Sequence, residues 1–279
     1  MALNPEAAAW LDEQARLGYP PKSQWTLAEV RERYAQQSRA WAGEPPRMPV
    51  ARTPFGPLYG TGERLLVYAH GGRFISGGVD THDALCRRLA AASGWSVLLV
   101  EYRLAPENPY PAALTDLRAA RDWALARSNS VALAGDSAGG SLAAAAAFDN
   151  PRALRALLLF YPMLDATVSL PSHAEFRTGP GPSSDDMQRG YDLYLPPETD
   201  RRDPAVSPLF ALGSFPPTWL LTVEYDSLRD EGREFARKSG AAVHAHLEGW
   251  IHGILTLPGR FAAARTALED AGQWLSAAV

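Results

Sequence analysis

A chain of 279 residues with 46% hydrophobic side chains can bury one large core, so a single α/β-sized domain with some embellishment is expected. A formal net charge of −4 without any basic block speaks against nucleic acid or another polyanion as partner. One cysteine, Cys86, excludes an internal disulfide framework and reads as a small apolar residue packed in a helix.

The N-terminal stretch MALNPEAAAWLDEQARLG has early acidic residues and no unbroken apolar run. It predicts neither a secretory signal nor a membrane span, and hence a cytoplasmic protein. Residues 1 to about 45 read as amphipathic helix. Short aliphatic runs then follow at 64–69 (RLLVYA), 96–102 (SVLLVEY), 130–135 (SVALAG), 156–161 (ALLLFY), 219–225 (WLLTVEY) and 242–248 (AVHAHLE). Strands apolar on both faces imply a mostly parallel sheet covered by helices on each side. Helical patterns alternate with them at Thr81–Ser93, Pro111–Arg127, Ala138–Phe148, Arg229–Ser239 and Pro258–Ala277. The order is that of a doubly wound α/β fold. Residues from about 163 to 210 break the alternation with Pro, Gly, Ser, Asp and scattered aromatics. An insertion of that length between two strands reads as a lid, and with the N-terminal helices it is expected to cap one end of the sheet.

Gly135, Ser137 and Gly139 form a G-x-S-x-G at the end of the 130–135 run. A sharp strand-to-helix turn strains its central residue, and glycines flanking it avoid clashes with neighbouring elements, so the serine hydroxyl is thrust outward. In an open parallel sheet this places Ser137 beyond the carboxyl ends of the strands, where reactive groups collect. A serine becomes a nucleophile only when a base removes its proton and a third group orients the base. In this fold class acid and base follow the serine in that order. Asp226 stands at the tip after the 219–225 run, and His252 in the loop after 242–248. Asp230 and Glu231 are alternative acids, but they fall in the next helix's first turn, where negative side chains suit the helix dipole. His244 and His246 alternate along a strand and read as structural, His173 lies in the insertion and His82 near a helix start. A metal held by His244 and His246 would need further ligands, which the sequence does not offer. Backbone N–H groups for a developing oxyanion would come from Ala138 and from the glycine-rich YAHGGRFISGG after the 64–69 run.

Together these residues resemble the hormone-sensitive lipase-like family of α/β-hydrolase esterases, which includes the bacterial acetyl esterases. HGGRF (70–74) stands for its HGGG, beside YRLAPE (102–107) with the following YPAALTD, GDSAGG (135–140), DSLRDEG (226–232) for its DPLRDEG, and His252-Gly253. The resemblance implies an α/β-hydrolase fold with a small helical cap, formed by about 1–45 and about 163–210. It implies Ser137 as nucleophile, His252 as general base then acid, and Asp226 as the group that orients the imidazole. Gly72, Arg73 and Ala138 would donate the oxyanion N–H groups, with no cofactor and no metal. Arg73 departs from the pattern, standing where the family has its third glycine. Its guanidinium is expected either to pair with an acidic cap residue or to favour a substrate with a carboxylate or polar group.

The expected activity is hydrolysis of short-chain carboxylic esters through an acyl-enzyme, with a small-molecule ester as the partner and no membrane. An arylformamidase-like amide or formamide hydrolase is the alternative, because those relatives also carry HGG followed by a larger residue. A non-catalytic small-ligand receptor is a further one, against which His252 and its flanking glycine speak. Sheet edges leave room for a homodimer, though nothing in the sequence demands one.

Overall fold

A computed structural model of the chain describes residues 2–20 and 24–277. Of the expected single domain and its N-terminal cap segment, residues 1, 21–23, 278 and 279 lie outside the described residues. In chain order the strands are β1 (Val50–Thr53), β2 (Gly56–Tyr59), β3 (Leu65–Ala69), β4 (Ser96–Val100), β5 (Val131–Asp136), β6 (Ala156–Phe160), β7 (Thr218–Tyr225) and β8 (Val243–Ile251). The helices are α1 (Pro5–Arg16), α2 (Leu27–Ala40), α3 (Val79–Ser93), α4 (Ala112–Leu125), α5 (Ala138–Asp149), α6 (Pro171–Glu175), α7 (Ser184–Tyr194), α8 (Arg229–Ser239) and α9 (Ala262–Ala277).

The strands form one sheet in the order β1-β2-β4-β3-β5-β6-β7-β8. From β4 to β8 neighbouring strands run parallel, and the β1–β2 hairpin joins β4 antiparallel at one edge. Alternate strand residues feed two cores, as side chains of period two must. Leu65, Val67 and Ala69 pack towards α4, α5 and α8. Leu66 and Tyr68 pack towards α3, α9 and Trp10 of α1. Cys86 is fully buried in the second core, and burial pushes its thiol well above its ordinary pKa, which fits a packing role. No helix among the described residues is long and apolar enough to cross a membrane.

Several expectations need correction. The β1–β2 hairpin was not expected, because VART is exposed and GPLY carries glycine and proline, so neither shows an apolar run. The helix expected from Pro258 begins at Ala262, and the one expected over Pro111–Arg127 is Ala112–Leu125. The strand expected over 242–248 runs on to Ile251, leaving His252 directly after its end. This last difference has a mechanical origin. Val223 is level with Leu247 but Tyr225 is level with Ile251, so β8 carries two extra residues across that step. The bulge contains Gly249, whose φ of +76° suits glycine and whose carbonyl accepts from the N–H of Asn4 at 2.8 Å.

Candidate active site

Ser137 caps α5 at φ +52°, ψ −122°, a conformation that side chains rarely adopt and that marks stored strain. The flanking glycines are steric necessities. A Cβ on Gly139 would lie 2.0 Å from the Ala69 carbonyl oxygen, and one on Gly135 would lie 2.3 Å from that of Gly139. Hydrogen bonds from Ser137 N to Phe160 O and from Met163 N to Ser137 O, each 3.0 Å, hold the turn.

The structure brings Ser137, His252 and Asp226 into one chain of contacts. Ser137 Oγ lies 3.1 Å from His252 Nε2, and Asp226 Oδ2 lies 2.7 Å from Nδ1. A carboxylate can only accept, so Nδ1 carries the proton and Nε2 is left to accept from the serine. The other oxygen of Asp226 accepts from Leu228 N at 2.9 Å, which fixes the carboxylate. Tyr161 lies against the imidazole with ring centroids 4.5 Å apart. The alignment depends on the β8 bulge. Because Tyr225 and Ile251 are level, the residues that follow them, Asp226 and His252, are neighbours; without the two extra residues Asp226 would stand beside Trp250.

The alternative acids have other occupations. Asp230 accepts from Ser172 N at 3.0 Å, and Glu231 accepts from the backbone N–H groups of Leu164 and Asp165 and pairs with His173. His244 and His246 both bond Thr222 Oγ1, and His246 also meets Glu224. Among the described residues no group of three or more His, Cys, Asp or Glu side chains is arranged to hold a metal.

The loop after β3 reaches over the serine. Arg73 and Phe74 both take positive φ, +57° and +65°, so the missing third glycine is replaced by a side chain in a glycine-like conformation. Among the described residues the N–H groups of Gly72, Arg73 and Ala138 donate to no acceptor within the chain, which leaves them available to an anion beside Ser137. The Arg73 guanidinium pairs with Asp186 of α7 at 3.2 Å, the first of the two roles expected for it. Gly190 of the same helix allows this approach, since a Cβ there would lie 2.9 Å from that of Arg73.

Sequence reading missed the support behind this loop. Asp136, adjacent to the serine and buried, accepts from Tyr68 Oη (3.0 Å), Gly71 N (2.8 Å) and His82 Nε2 (3.0 Å). Burial by itself would raise the Asp136 pKa, but His82 and these hydrogen bonds hold it below its usual value. His70 is stacked on Tyr102 at 4.1 Å, and burial, aided by His82, pulls its pKa down to about 3. It is therefore neutral, with Nδ1 donating to Gly71 O at 2.9 Å. The Asp in GDSAGG was the available signal, but its partners lie 54 to 68 residues away. The YRLAPE stretch is also a brace. Arg103 grips Asp116, Tyr102 Oη donates to His70 O, and Glu107 takes two bonds from Arg31 of α2.

A cavity of about 640 Å³ opens at the serine. Gly72, Arg73 and His252 form its floor; Trp10, Tyr34 and Trp41 reach it from the N-terminal helices, and Pro182 and Met187 from the insertion.

The sequence profile of a family described by the α/β-hydrolase fold matches residues 66–256. The carboxylic ester hydrolase LipN of Mycobacterium tuberculosis is 36% identical over 226 residues, 73% of this chain and 60% of that protein. The ethyl acetate hydrolase of Pseudomonas putida is 34% identical over 69% of this chain and 66% of that protein. The chain thus spans about two thirds of the curated relatives it matches. Among solved structures, the hyperthermophilic esterase of Pyrobaculum calidifontis superimposes with a TM-score of 0.88 at 33% identity, covering 99% of each chain. A thermostable esterase from Pseudomonas putida gives 0.90 at 27% identity, over 99% of this chain and 97% of that one.

Proposed function

From a chain that belongs to the α/β-hydrolase family, and within it to the hormone-sensitive lipase-like esterases, we propose a serine carboxylesterase that hydrolyses short-chain acyl esters. The observation that carries this reading is the 3.1 Å approach of Ser137 Oγ to His252 Nε2, itself anchored to Asp226 at 2.7 Å, at the floor of a cavity. Ser137 Oγ attacks the ester carbonyl carbon as Nε2 takes its proton, and Asp226 stabilises the imidazolium. The carbonyl oxygen becomes an oxyanion facing the N–H groups of Gly72, Arg73 and Ala138. Collapse breaks the bond to the alcohol oxygen, which leaves with the proton from Nε2. Water then attacks the acyl-enzyme under the same base, freeing the carboxylic acid and restoring the serine.

In this reading α1, α2 and the insertion bearing α6 and α7 form the cap of a single domain. Arg73 is an internal tie as well as an oxyanion donor, joining the loop after β3 to that cap. Arg73→Gly keeps the backbone N–H but frees α7, so kcat/KM for a neutral acetyl ester is expected to fall roughly ten- to a hundredfold through misplaced donors. The ratio of rates on neutral and acidic esters is expected to stay as in the wild type. A shift of that ratio towards neutral esters would mean that Arg73 meets the substrate.

The overall assignment is tested with nitrophenyl esters from acetyl to dodecanoyl, run beside an N-formyl arylamine. Hydrolysis strongest at the short acyl chains is the expected result. Faster cleavage of the formamide would replace it with the formamidase reading, which Arg73 after the HGG favours, and binding without turnover of any of them would replace it with a receptor.

A further inference from the structure

The mouth of the Ser137 cavity is unusual for a protein surface. Five large hydrophobic side chains stand exposed among the described residues, and three of them, Leu17, Tyr19 and Trp41, line this one cavity. Exposed apolar side chains gathered at an opening mark a binding surface rather than scattered surface residues. Trp41 continues inward through edge-on contacts with Trp10 and, behind it, Phe261, at centroid distances of 5.9 and 6.0 Å. A planar ring entering here can pack against Trp41 and Trp10, both of which line the cavity.

One cation stands in the same wall. Arg33 of α2 lies over Tyr19 at 3.8 Å and over Trp25 at 4.7 Å. Stacking occupies the faces of a guanidinium and leaves its five N–H groups, which point outward in its plane, to other partners. Arg33 has none of these among the described residues, for it makes no hydrogen bond or ion pair. Glu29, one turn earlier, is engaged by the Thr26 N–H and hydroxyl, both at 2.8 Å. The remaining charges in the lining are already matched, Arg73 by Asp186 and Asp136 by Tyr68, Gly71 and His82. The cavity mouth therefore presents a held cation between aromatic rings, with no ion pair among the described residues and only the more distant charge of Glu29 acting on it, in a chain whose net charge is −4.

We propose that Arg33 is a specificity-determining residue that selects esters with an aromatic ring bearing a carboxylate. The ring lies against the Tyr19, Trp25 and Trp41 wall, and the carboxylate accepts from the in-plane N–H groups of Arg33, a fork geometry that guanidinium matches and ammonium does not. The inference rests on the esterase reading, so its test has one arm that needs no turnover.

In the first arm kcat/KM is measured for para-acetoxybenzoate and its uncharged analogue para-acetoxybenzamide. The charged-to-neutral ratio is expected to fall about tenfold in Arg33→Met and to be partly restored in Arg33→Lys. Added sodium chloride should lower the wild-type ratio and leave that of Arg33→Met flat. In the second arm the non-hydrolysable pair para-acetamidobenzoate and para-acetamidobenzamide is titrated calorimetrically into Ser137→Ala and into Ser137→Ala/Arg33→Met. The same tenfold preference for the carboxylate is expected only in the first protein. Equal ratios with and without Arg33 in either arm overturn the proposal while leaving ester hydrolysis standing. Failure of the wild type to cleave either ester, with Arg33-dependent carboxylate binding intact, would overturn the esterase reading and leave the anion site.

Discussion

Ser137→Ala is expected to lower kcat by roughly five orders of magnitude or more, the scale at which removal of a triad nucleophile disables the whole unit. Among the described residues the contact with Ser137 Oγ is the single hydrogen bond at His252 Nε2. The turn itself should survive. Its hydrogen bonds run through the Ser137 backbone, and alanine at φ +52° is strained much as serine is. Stability should therefore change by no more than about 0.5 kcal/mol. The check is steady-state hydrolysis of a nitrophenyl acetate together with mass-spectrometric mapping of a fluorophosphonate adduct. A variant that retains a hundredth of wild-type turnover, or an adduct on a different residue, would remove Ser137 from the mechanism.

Glu231→Ala is expected to cost about 3–5 kcal/mol of folding stability, although the residue never touches His252. Its carboxylate is fully buried and accepts from Leu164 N, from Asp165 N at 2.9 Å and from His173 Nε2 at 2.6 Å. Alanine leaves two backbone donors and an imidazole without acceptors inside the protein. The pair also joins α8 to the insertion, because His173 belongs to α6 and its Nδ1 lies 3.2 Å from Ser184 Oγ at the start of α7. Ser184 Oγ donates to the His173 carbonyl at 2.7 Å, so Nδ1 must donate to it. Urea unfolding of Glu231→Ala measures the loss, and Glu231→Gln provides a smaller perturbation should the alanine variant not fold.

This pair makes the effect pH-dependent, with a definite sign. Burial alone would lower the His173 pKa, but the hydrogen bond and charge of Glu231 outweigh it and raise the value; burial raises that of Glu231. A group raised above its unfolded value contributes stability that is fully present below the unfolded pKa and is lost as pH climbs through the folded one. The gap between wild type and Glu231→Gln should thus be widest below about pH 6 and narrow upward through and beyond the ordinary histidine range. A gap that widens towards alkaline pH would show that the pair does not carry the charge assigned to it.

The parts of the fold that could be read from the chain were those with a local cause. Fully buried parallel strands such as LLVYA and ALLLF leave continuous apolar runs because both faces are covered, whereas the exposed edge hairpin over Val50–Tyr59 leaves none. Helix limits moved by a few residues, as at Ala262, because caps depend on groups outside the helix.

The sequence by itself determined the strand-to-helix serine turn, since its glycines answer clashes between residues a few positions apart, and it determined the chain order of serine, acid and histidine. The sequence also favoured Asp226 over Asp230 and Glu231, but only tertiary structure decided how that acid meets His252, through a two-residue bulge in β8 and the contacts of Glu231 with Leu164 and His173. Tertiary structure decided too that Asp136 holds the loop after β3 and that Arg33 lies over the rings of Tyr19 and Trp25. These depend on partners far off in sequence, and local spacing carries no record of a strand register or of which distant side chains neutralise a charge.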